Sequence, residues 1–151
     1  VSGDGVADFQ FLDNSFLYSF ASYADSWAPP IIMNILGGKA VDVSTKPAFR
    51  KIFEAEVADA RQQCVAPKQA GSFRNGACAA YGASAPRLGK YPAARAEIVR
   101  PHQANPDWDY PTGCAVAETA TGCPDGQEVK YTSFPAALDA FLKQQGYLSA
   151  R

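Results

Sequence analysis

The stretch from Ala83 to Gly113 constrains the fold of this chain more than any other feature of its sequence. It runs for thirty-one residues without a sustained helical or strand period, and it contains five prolines. Ordering so long an irregular segment costs roughly 1–2 kcal/mol per residue in backbone entropy, so a compact domain keeps one only where contacts hold it. We therefore expect an extended proline-rich strap over residues 83–113, bracketed by Cys78 and Cys114, that packs on this protein or on a neighbour.

The length and composition indicate a single domain over residues 1–151. A chain of this length buries about two-thirds of the surface that it exposes when unfolded. Only 19% of the residues are charged, against a usual fraction of about 25%, which suggests that part of the surface meets a partner. The longest apolar run, Pro29 to Leu36, is far shorter than the ~18 residues that would span a bilayer.

The small net charge of −1 hides an uneven distribution. Residues 61–100 carry seven basic side chains and one acidic one, whereas residues 1–60 and 101–151 are both acidic. Too few aromatic residues lie among the basic ones for a nucleic-acid-binding surface. Two interpretations remain: the basic middle pairs with the acidic arms of the same chain, or it meets an acidic external partner.

Four cysteines, Cys64, Cys78, Cys114 and Cys123, point to disulfides. They form no CxxC pair, and with His102 as the only histidine a structural zinc site is not predicted. Of the three possible connectivities, the spacing favours the sequential one, which closes two short loops. Oxidised cysteines predict an extracytoplasmic compartment: the thylakoid or another organelle lumen, the periplasm or the cell exterior. The small polar residues 1–5 are expected to be a mature end or a fragment boundary.

Hydrophobic periodicity predicts three principal helices, near residues 9–28, 46–63 and 134–145. The first prediction rests on large apolar residues at intervals of three and four, ended by two prolines. Those residues are Phe9, Leu12, Phe16, Phe20, Tyr23 and Trp27. The fold predicted is mainly α, a small three- to four-helix domain with a long irregular proline-rich connection and disulfides.

Smaller elements are expected between these helices. Residues 31–36 are predicted to form a two-turn helix closed by two glycines, and residues 77–81 a short helix. The Asn75–Gly76 pair indicates a turn. Residues 128–132 favour a strand, for which residues 97–100 are the only evident partner.

Catalytic motifs are weak in this chain. His102 would have to serve any histidine-dependent hydrolase, and Asp107 with Asp109 could form an acid/base pair or hold a cation, but neither has a supporting motif. We predict no metal site and no cofactor. Trp108 and Tyr110 are more suggestive, because exposed aromatic residues between prolines often anchor an extended segment in a groove.

The sequence thus favours a non-catalytic accessory subunit that docks onto a larger extracytoplasmic protein assembly, such as an extrinsic lumenal or periplasmic subunit of a membrane complex. A small secreted protein that binds an apolar ligand or pigment among the helix aromatics is the alternative, and a hydrolase using His102 is a further one. The predicted partner-binding residues are basic and aromatic side chains of the strap: Arg87, Lys90, Tyr91, Arg95, Arg100, Trp108 and Tyr110.

Overall fold

The computed structural model describes residues 2–3, 5–66, 74–100, 110–116, 119 and 121–148. Within them the chain forms two antiparallel sheets and four helices. The strands are β1 (Phe9–Leu12), β2 (Pro30–Leu36), β3 (Lys39–Asp42), β4 (Gly113–Cys114) and β5 (Glu128–Val129). The helices are α1 (Arg50–Val65), α2 (Asn75–Ser84), α3 (Tyr91–Val99) and α4 (Phe134–Gln144). The fold is therefore mixed α/β rather than purely helical, which corrects the expectation of a mainly α domain.

The first sheet replaces two predicted helices. Its strand order is β1-β2-β3, and the short helix expected over residues 31–36 is the central strand β2. Gly37 and Gly38 both have positive φ, 56° and 75°, so they form a two-residue hairpin turn rather than a helix stop. The isoleucines before them favour a strand, because β-branched side chains pack well on a pleated surface.

The helix predicted over residues 9–28 is also wrong. Residues 9–12 pair with β2, and the segment after them folds into two short 3₁₀ turns, Asn14–Phe16 and Tyr23–Asp25. Tyr18 has a φ of 63°, in the left-handed region, where a right-handed helix cannot continue. The four-residue spacing between Phe16 and Phe20 instead reflects that both side chains reach one core.

The other two principal helices are confirmed. A 3₁₀ turn over Pro47–Phe49 leads directly into α1, and α4 starts after Ser133 with Pro135 in its first turn. The predicted short helix over residues 77–81 is part of α2, which is buried along its whole length. A helix without a polar face is expected at the centre of a domain.

The turn predicted at Asn75–Gly76 is instead the start of α2. Gly76 lies so close to the Asp25 carbonyl that a side-chain carbon at this position would overlap the carbonyl oxygen. The glycine therefore serves the packing of a 3₁₀ turn against the helix, which is a tertiary contact that the local sequence does not reveal.

The irregular strap predicted over residues 83–113 is wrong for its first half. Residues 83–84 end α2, Ala85–Leu88 form a 3₁₀ turn, and α3 follows. Pro86 and Pro92 lie in the first turns of these helices, where a missing amide hydrogen does no harm. Residues 101–109 lie outside the described residues.

The second sheet joins β4 to β5, with Gly113 opposite Val129 and Cys114 opposite Glu128. The strand predicted at 128–132 is thus present over two residues, but its partner is β4 and not residues 97–100, which belong to α3 and the residue after it. The cysteines pair sequentially, as the spacing predicted, into Cys64–Cys78 and Cys114–Cys123.

The main core lies between α2, α4 and the first 3₁₀ turns. Phe20 contacts Phe134 and Phe141 edge to face, with ring centroids 5.3 and 5.1 Å apart, and Phe16 contacts Phe141 and Tyr147 in the same way. Of the aromatic residues on which the ligand-binding alternative relied, Phe16, Phe20 and Phe141 are therefore packed against one another, whereas Phe9 and Tyr23 are exposed. Among the described residues, no helix combines the length and apolar character needed to cross a membrane.

Candidate functional site

Helix α3 is attached to the rest of the helical region on two sides. On one side, Glu97 accepts hydrogen bonds from Arg61 Nε at 2.6 Å, Arg61 Nη2 at 3.0 Å and the Tyr81 hydroxyl at 3.0 Å. The hydrogen bonds from Arg61 outweigh desolvation, so the pKa of Glu97 lies below its usual value. Burial and the Glu97 carboxylate raise the pKa of Tyr81 to about 12. This cluster joins α3 to α1 and α2.

On the other side, the Asp139 carboxylate of α4 accepts hydrogen bonds from Tyr91 and Arg95 of α3. The Tyr91 hydroxyl donates to Asp139 Oδ1, and Arg95 Nε lies 2.9 and 2.8 Å from the two carboxylate oxygens. Burial opposes ionisation of Asp139, but the hydrogen bonds from Arg95 and Tyr91 outweigh it and lower the pKa of the carboxyl. Burial, together with Asp139, raises the pKa of Tyr91. At neutral pH the carboxylate is charged and the phenol is protonated.

A third contact joins the basic middle of the chain to the first sheet. Arg87 Nη2 lies 2.7 Å from Asp42 Oδ2 of β3, and the Arg87 guanidinium lies 4.8 Å from the centre of the Tyr147 ring. Arg87 and Arg95 thus pair with acidic residues from the two arms of the chain. The charge distribution left two interpretations open, pairing within the chain or with an external partner. For these two arginines the structure shows pairing within the chain.

A cleft of about 840 Å³ opens beside the Asp139 cluster, between α4, Arg95 in the middle of α3 and the disulfide-bonded strand β4. Basic groups in its walls come from Arg95 and Lys143, and apolar surface comes from Val116, Ala136 and Ala140. At its base Tyr131 packs against Gly113 so closely that a side-chain carbon there would overlap the phenol oxygen. We call this the α3–α4 cleft.

The remaining predicted partner-binding residues lie at different places. Lys90 and Arg100 flank α3 and are exposed, and Arg100 lines a smaller cleft of about 230 Å³ beside Glu97. Tyr110 is partly buried, with its ring 6.3 Å from that of Phe134, so this aromatic of the strap packs on its own protein. Trp108 lies outside the described residues.

The catalytic candidates of the sequence also fall outside the described residues. His102, Asp107 and Asp109 all belong to the segment 101–109. Within the part of the chain that the structure describes, no three His, Cys, Asp or Glu side chains cluster closely enough to hold a metal ion.

Three residues of the cleft, Tyr131, Asp139 and Lys143, were not predicted from the sequence. Asp139 and Lys143 are four residues apart on α4, a spacing that puts both on one helix face, and the charge of Lys143 also favours the ionised form of Asp139. That spacing was a usable signal for a polar face. The contact of this face with α3 depends on the packing of helices that are distant in sequence.

Comparison with known proteins identifies two relatives. The chain is 33% identical over 151 residues to a Synechocystis protein named probable thylakoid lumen protein sll0997, covering 100% of the chain and 44% of that protein. It is 29% identical over 148 residues to uncharacterized protein y4bJ of Sinorhizobium fredii, covering 98% of the chain and 23% of that protein. The chain thus spans less than half the length of these relatives. No solved structure matches it.

The two disulfides and the relative from Synechocystis agree on an extracytoplasmic location. The family model of the sll0997 C-terminal domain matches residues 53–146, which include nearly all of α1, the other three helices, both disulfides and the α3–α4 cleft. Because this match covers more than half of the chain, the chain belongs to the sll0997 C-terminal domain family.

Proposed function

We propose that this chain is a non-catalytic accessory domain that docks onto a larger extracytoplasmic assembly, and that its α3–α4 cleft receives an acidic segment of the partner. One observation carries the proposal: the cleft combines the cationic side chains Arg95 and Lys143 with an apolar wall. A groove of this composition suits a peptide that presents a carboxylate beside apolar side chains.

The charge balance of the cleft favours an acidic rather than a basic partner. Asp139, the single carboxylate among the described residues that line the cleft, already forms a salt bridge of 2.6 Å with Arg95. The ammonium group of Lys143 is therefore the excess charge, and its stem adds apolar contact area. Lys90 and Arg100, the exposed cations at the two ends of α3, would extend the attraction to a larger acidic surface and accelerate association.

The titration behaviour of the cleft supports binding rather than acid/base catalysis. A general acid or base works best when its pKa lies near the working pH. The neighbours of Asp139 lower the pKa of its carboxyl, and burial with Asp139 raises the pKa of the Tyr91 phenol. Both pKa values therefore lie further from neutral pH. Each of them holds a helix in place in the geometry described above.

The setting that we propose is the lumenal or periplasmic side of a membrane. One relative is named a probable thylakoid lumen protein, and the disulfides require an oxidising compartment. An extrinsic domain that docks onto a membrane complex fits both, with the rest of the longer polypeptide or a separate protein as the immediate neighbour.

The proposal is tested by purifying the chain from its native source at low salt and identifying the protein that accompanies it in stoichiometric amount. The affinity of the purified partner is then measured for the wild type, for Lys143→Glu and for the matched control Lys51→Glu, whose exposed lysine lies on α1 outside the cleft. We expect Lys143→Glu to weaken binding about tenfold or more, and the wild-type affinity to fall as salt is added.

Three results would contradict the proposal. The chain could purify without a partner, the two charge reversals could weaken binding equally, or the affinity could be independent of salt. Circular dichroism of both variants is the control for folding, because Lys143 is exposed and its replacement is expected to leave the fold unchanged.

A further inference from the structure

The first sheet has an outer side that is apolar and exposed, and no part of the proposed cleft function uses it. In an antiparallel pair, residues opposite each other lie on the same side of the sheet. The register places Phe9 opposite Met33 and Phe11 opposite Ile31. Phe9, Phe11, Ile31, Met33 and Ile35 therefore share one side, together with Ala40 and the Arg87-paired Asp42 of β3, and we call this side the outer sheet face.

The outer sheet face is solvent-accessible although its side chains are large and apolar. Phe9 is 44% exposed, Phe11 54% and Ile35 53%, while Ile31 and Met33 are partly buried. The Phe9 and Phe11 rings lie nearly parallel, with centroids 6.5 Å apart. Together they form a continuous patch on two neighbouring strands, and such patches on a folded domain mark interaction sites.

On the opposite side of the sheet the middle of β2 is buried, whereas Gln10 and Leu12 of β1 are exposed. Ile32 and Asn34 alternate with the outer residues of β2 and are almost completely inaccessible. A sheet with one solvated side carries polar residues on that side, whereas β2 places the apolar residues Ile31, Met33 and Ile35 on its outer side. This pattern indicates that the outer sheet face is also covered in the functional protein.

The edge of this face is held in place rather than frayed. β1 pairs with β2 over four residues. The Asn34 side-chain amide, oriented so that its hydrogen bonds are satisfied, donates to the Ala7 carbonyl at 3.2 Å and to Asp8 Oδ1 at 2.9 Å. A surface that is ordered before it meets its partner loses little conformational entropy on docking.

The size of the face limits what can cover it. Strands of four, seven and four residues, at about 3.3 Å per residue and about 4.8 Å apart, give roughly 240 Å². A stable interface between separate chains takes about 800 Å² from each partner, so neither a second copy nor a free protein gains enough area here alone. A covalently tethered neighbour needs less, because a short linker gives an effective concentration in the millimolar range.

We propose that the outer sheet face is the docking surface for a tethered neighbouring domain that precedes Phe9 in the native polypeptide. The relatives support this partner: the Synechocystis protein aligns with the whole chain, the sheet included, yet more than half of its length lies outside the alignment. The family describes a C-terminal domain and matches from residue 53, so the sheet lies on the side of the chain that faces this additional length. The inference does not depend on the α3–α4 cleft.

Met33, the single methionine among the 151 residues, gives a direct probe. Hydroxyl-radical labelling of Met33, read by peptide mass spectrometry, is compared between the 151-residue chain and the native-length polypeptide. We expect labelling of Met33 to be about tenfold slower in the native-length protein. Phe11→Asp in that protein should restore fast labelling, while the matched control Val99→Asp, an equally exposed apolar position on α3, should not.

The outcomes that overturn the proposal are distinct. Equal Met33 labelling in the two proteins would mean that the face stays open. Protection of the 151-residue chain that increases with its concentration would identify a second copy as the occupant. A native polypeptide without a folded domain ahead of the sheet would remove the proposed occupant. Loss of partner affinity in Lys143→Glu tests the cleft separately, so the two proposals can fail independently.

Discussion

The helical region, from α1 to α4, buries the aromatic residues that enter it, whereas the first sheet leaves its aromatic residues exposed. Phe16 and Phe20 leave the sheet segment and enter the helical core, where they are 2% and 1% exposed. Phe9 and Phe11, a few residues earlier in the same segment, remain on the outer sheet face. The helical region closes on itself, whereas the sheet leaves large apolar surface outside.

This difference teaches that burial in this domain is not set by residue type alone. The helical region has four helices and a disulfide around one core, which encloses large side chains such as Phe134, Leu138 and Leu142. The sheet has only one layer behind it, with a small second core formed by Ile32, Val43, Phe49 and Phe53. A single layer can cover one side of a sheet, and the other side needs a further layer.

The largest effect is expected from Phe20→Ala. The substitution removes a ring that packs edge to face on Phe134 and Phe141, and it leaves a cavity in the closed core. We expect the free energy of unfolding to fall by about 3–5 kcal/mol, measured by urea denaturation. A loss below about 1 kcal/mol would show that the helical region is loosely packed and would remove the contrast with the sheet.

A slightly smaller effect is expected from removing the Cys64–Cys78 disulfide, which joins α1 to α2 across fourteen positions of sequence. The double variant Cys64→Ala/Cys78→Ala should lose about 3 kcal/mol, since the unfolded chain regains the freedom of that loop. The measurement is the denaturation midpoint with and without reductant. If the denaturation midpoint of the wild type is the same with reductant, and both thiols are shown to be free, the prediction is wrong.

Asp139→Asn tests how firmly α3 is held against α4. It removes the charge that Arg95 and Tyr91 share, in a partly exposed site, so we expect a loss of about 1–2 kcal/mol. The matched control is Glu54→Gln, which breaks the exposed pair with Arg50 and should change stability by less than about 0.5 kcal/mol. If both variants lower the free energy of unfolding equally, the Asp139 cluster holds α3 no more firmly than an exposed ion pair would.

The dependence of stability on pH follows from the same clusters. The folded pKa of Tyr81 is about 12 against an ordinary 10.0, so its contribution is complete below pH 10 and is lost as the pH rises through 12. The pKa of Asp139 and that of Glu97 are lowered, so their contributions are complete above the ordinary carboxyl range and decrease as the pH falls through it. Denaturation midpoints against pH should show both losses, and Tyr81→Phe should flatten the alkaline one.

The smallest effect is expected on the outer sheet face. Phe11→Thr replaces an exposed ring by a residue that also favours strands, so the stability of the 151-residue chain should change by less than about 0.5 kcal/mol. A loss comparable to that of Phe20→Ala would mean that the face is part of the core of this domain and would remove the comparison on which the docking inference rests.

Local signals were sufficient where an element forms from its own residues. Hydrophobic periodicity and the prolines at positions 47 and 135 indicated α1 and α4, and cysteine spacing favoured the disulfide pairing that the structure contains. The Gly37–Gly38 pair was a hairpin signal that we interpreted as a helix stop, because two glycines after an apolar run suit either structure. The partner of β5 could not be found, since its two residues give almost no pattern.

The candidate site was predicted only in part. Arg95 was recognised as a charged strap residue, but its pairing with Asp139 joins positions 44 residues apart. Tyr110 was recognised as an anchor, and its contact with Phe134 places that anchor in the protein's own core. The spacing of Asp139 and Lys143 indicated a polar helix face, but a lysine on an exposed helix face is common and does not by itself indicate a cleft.

Composition, periodicity and cysteine spacing were enough to indicate an oxidising compartment, the helices α1 and α4, part of α2 and the uneven distribution of charge, because each depends on neighbouring residues or on simple counts. Tertiary structure alone decided which arginines are neutralised within the chain, that residues 91–99 are helical, and that one side of the first sheet lies open. The physical reason is that these outcomes depend on which distant surfaces meet, and burial and pairing are properties of the packed chain.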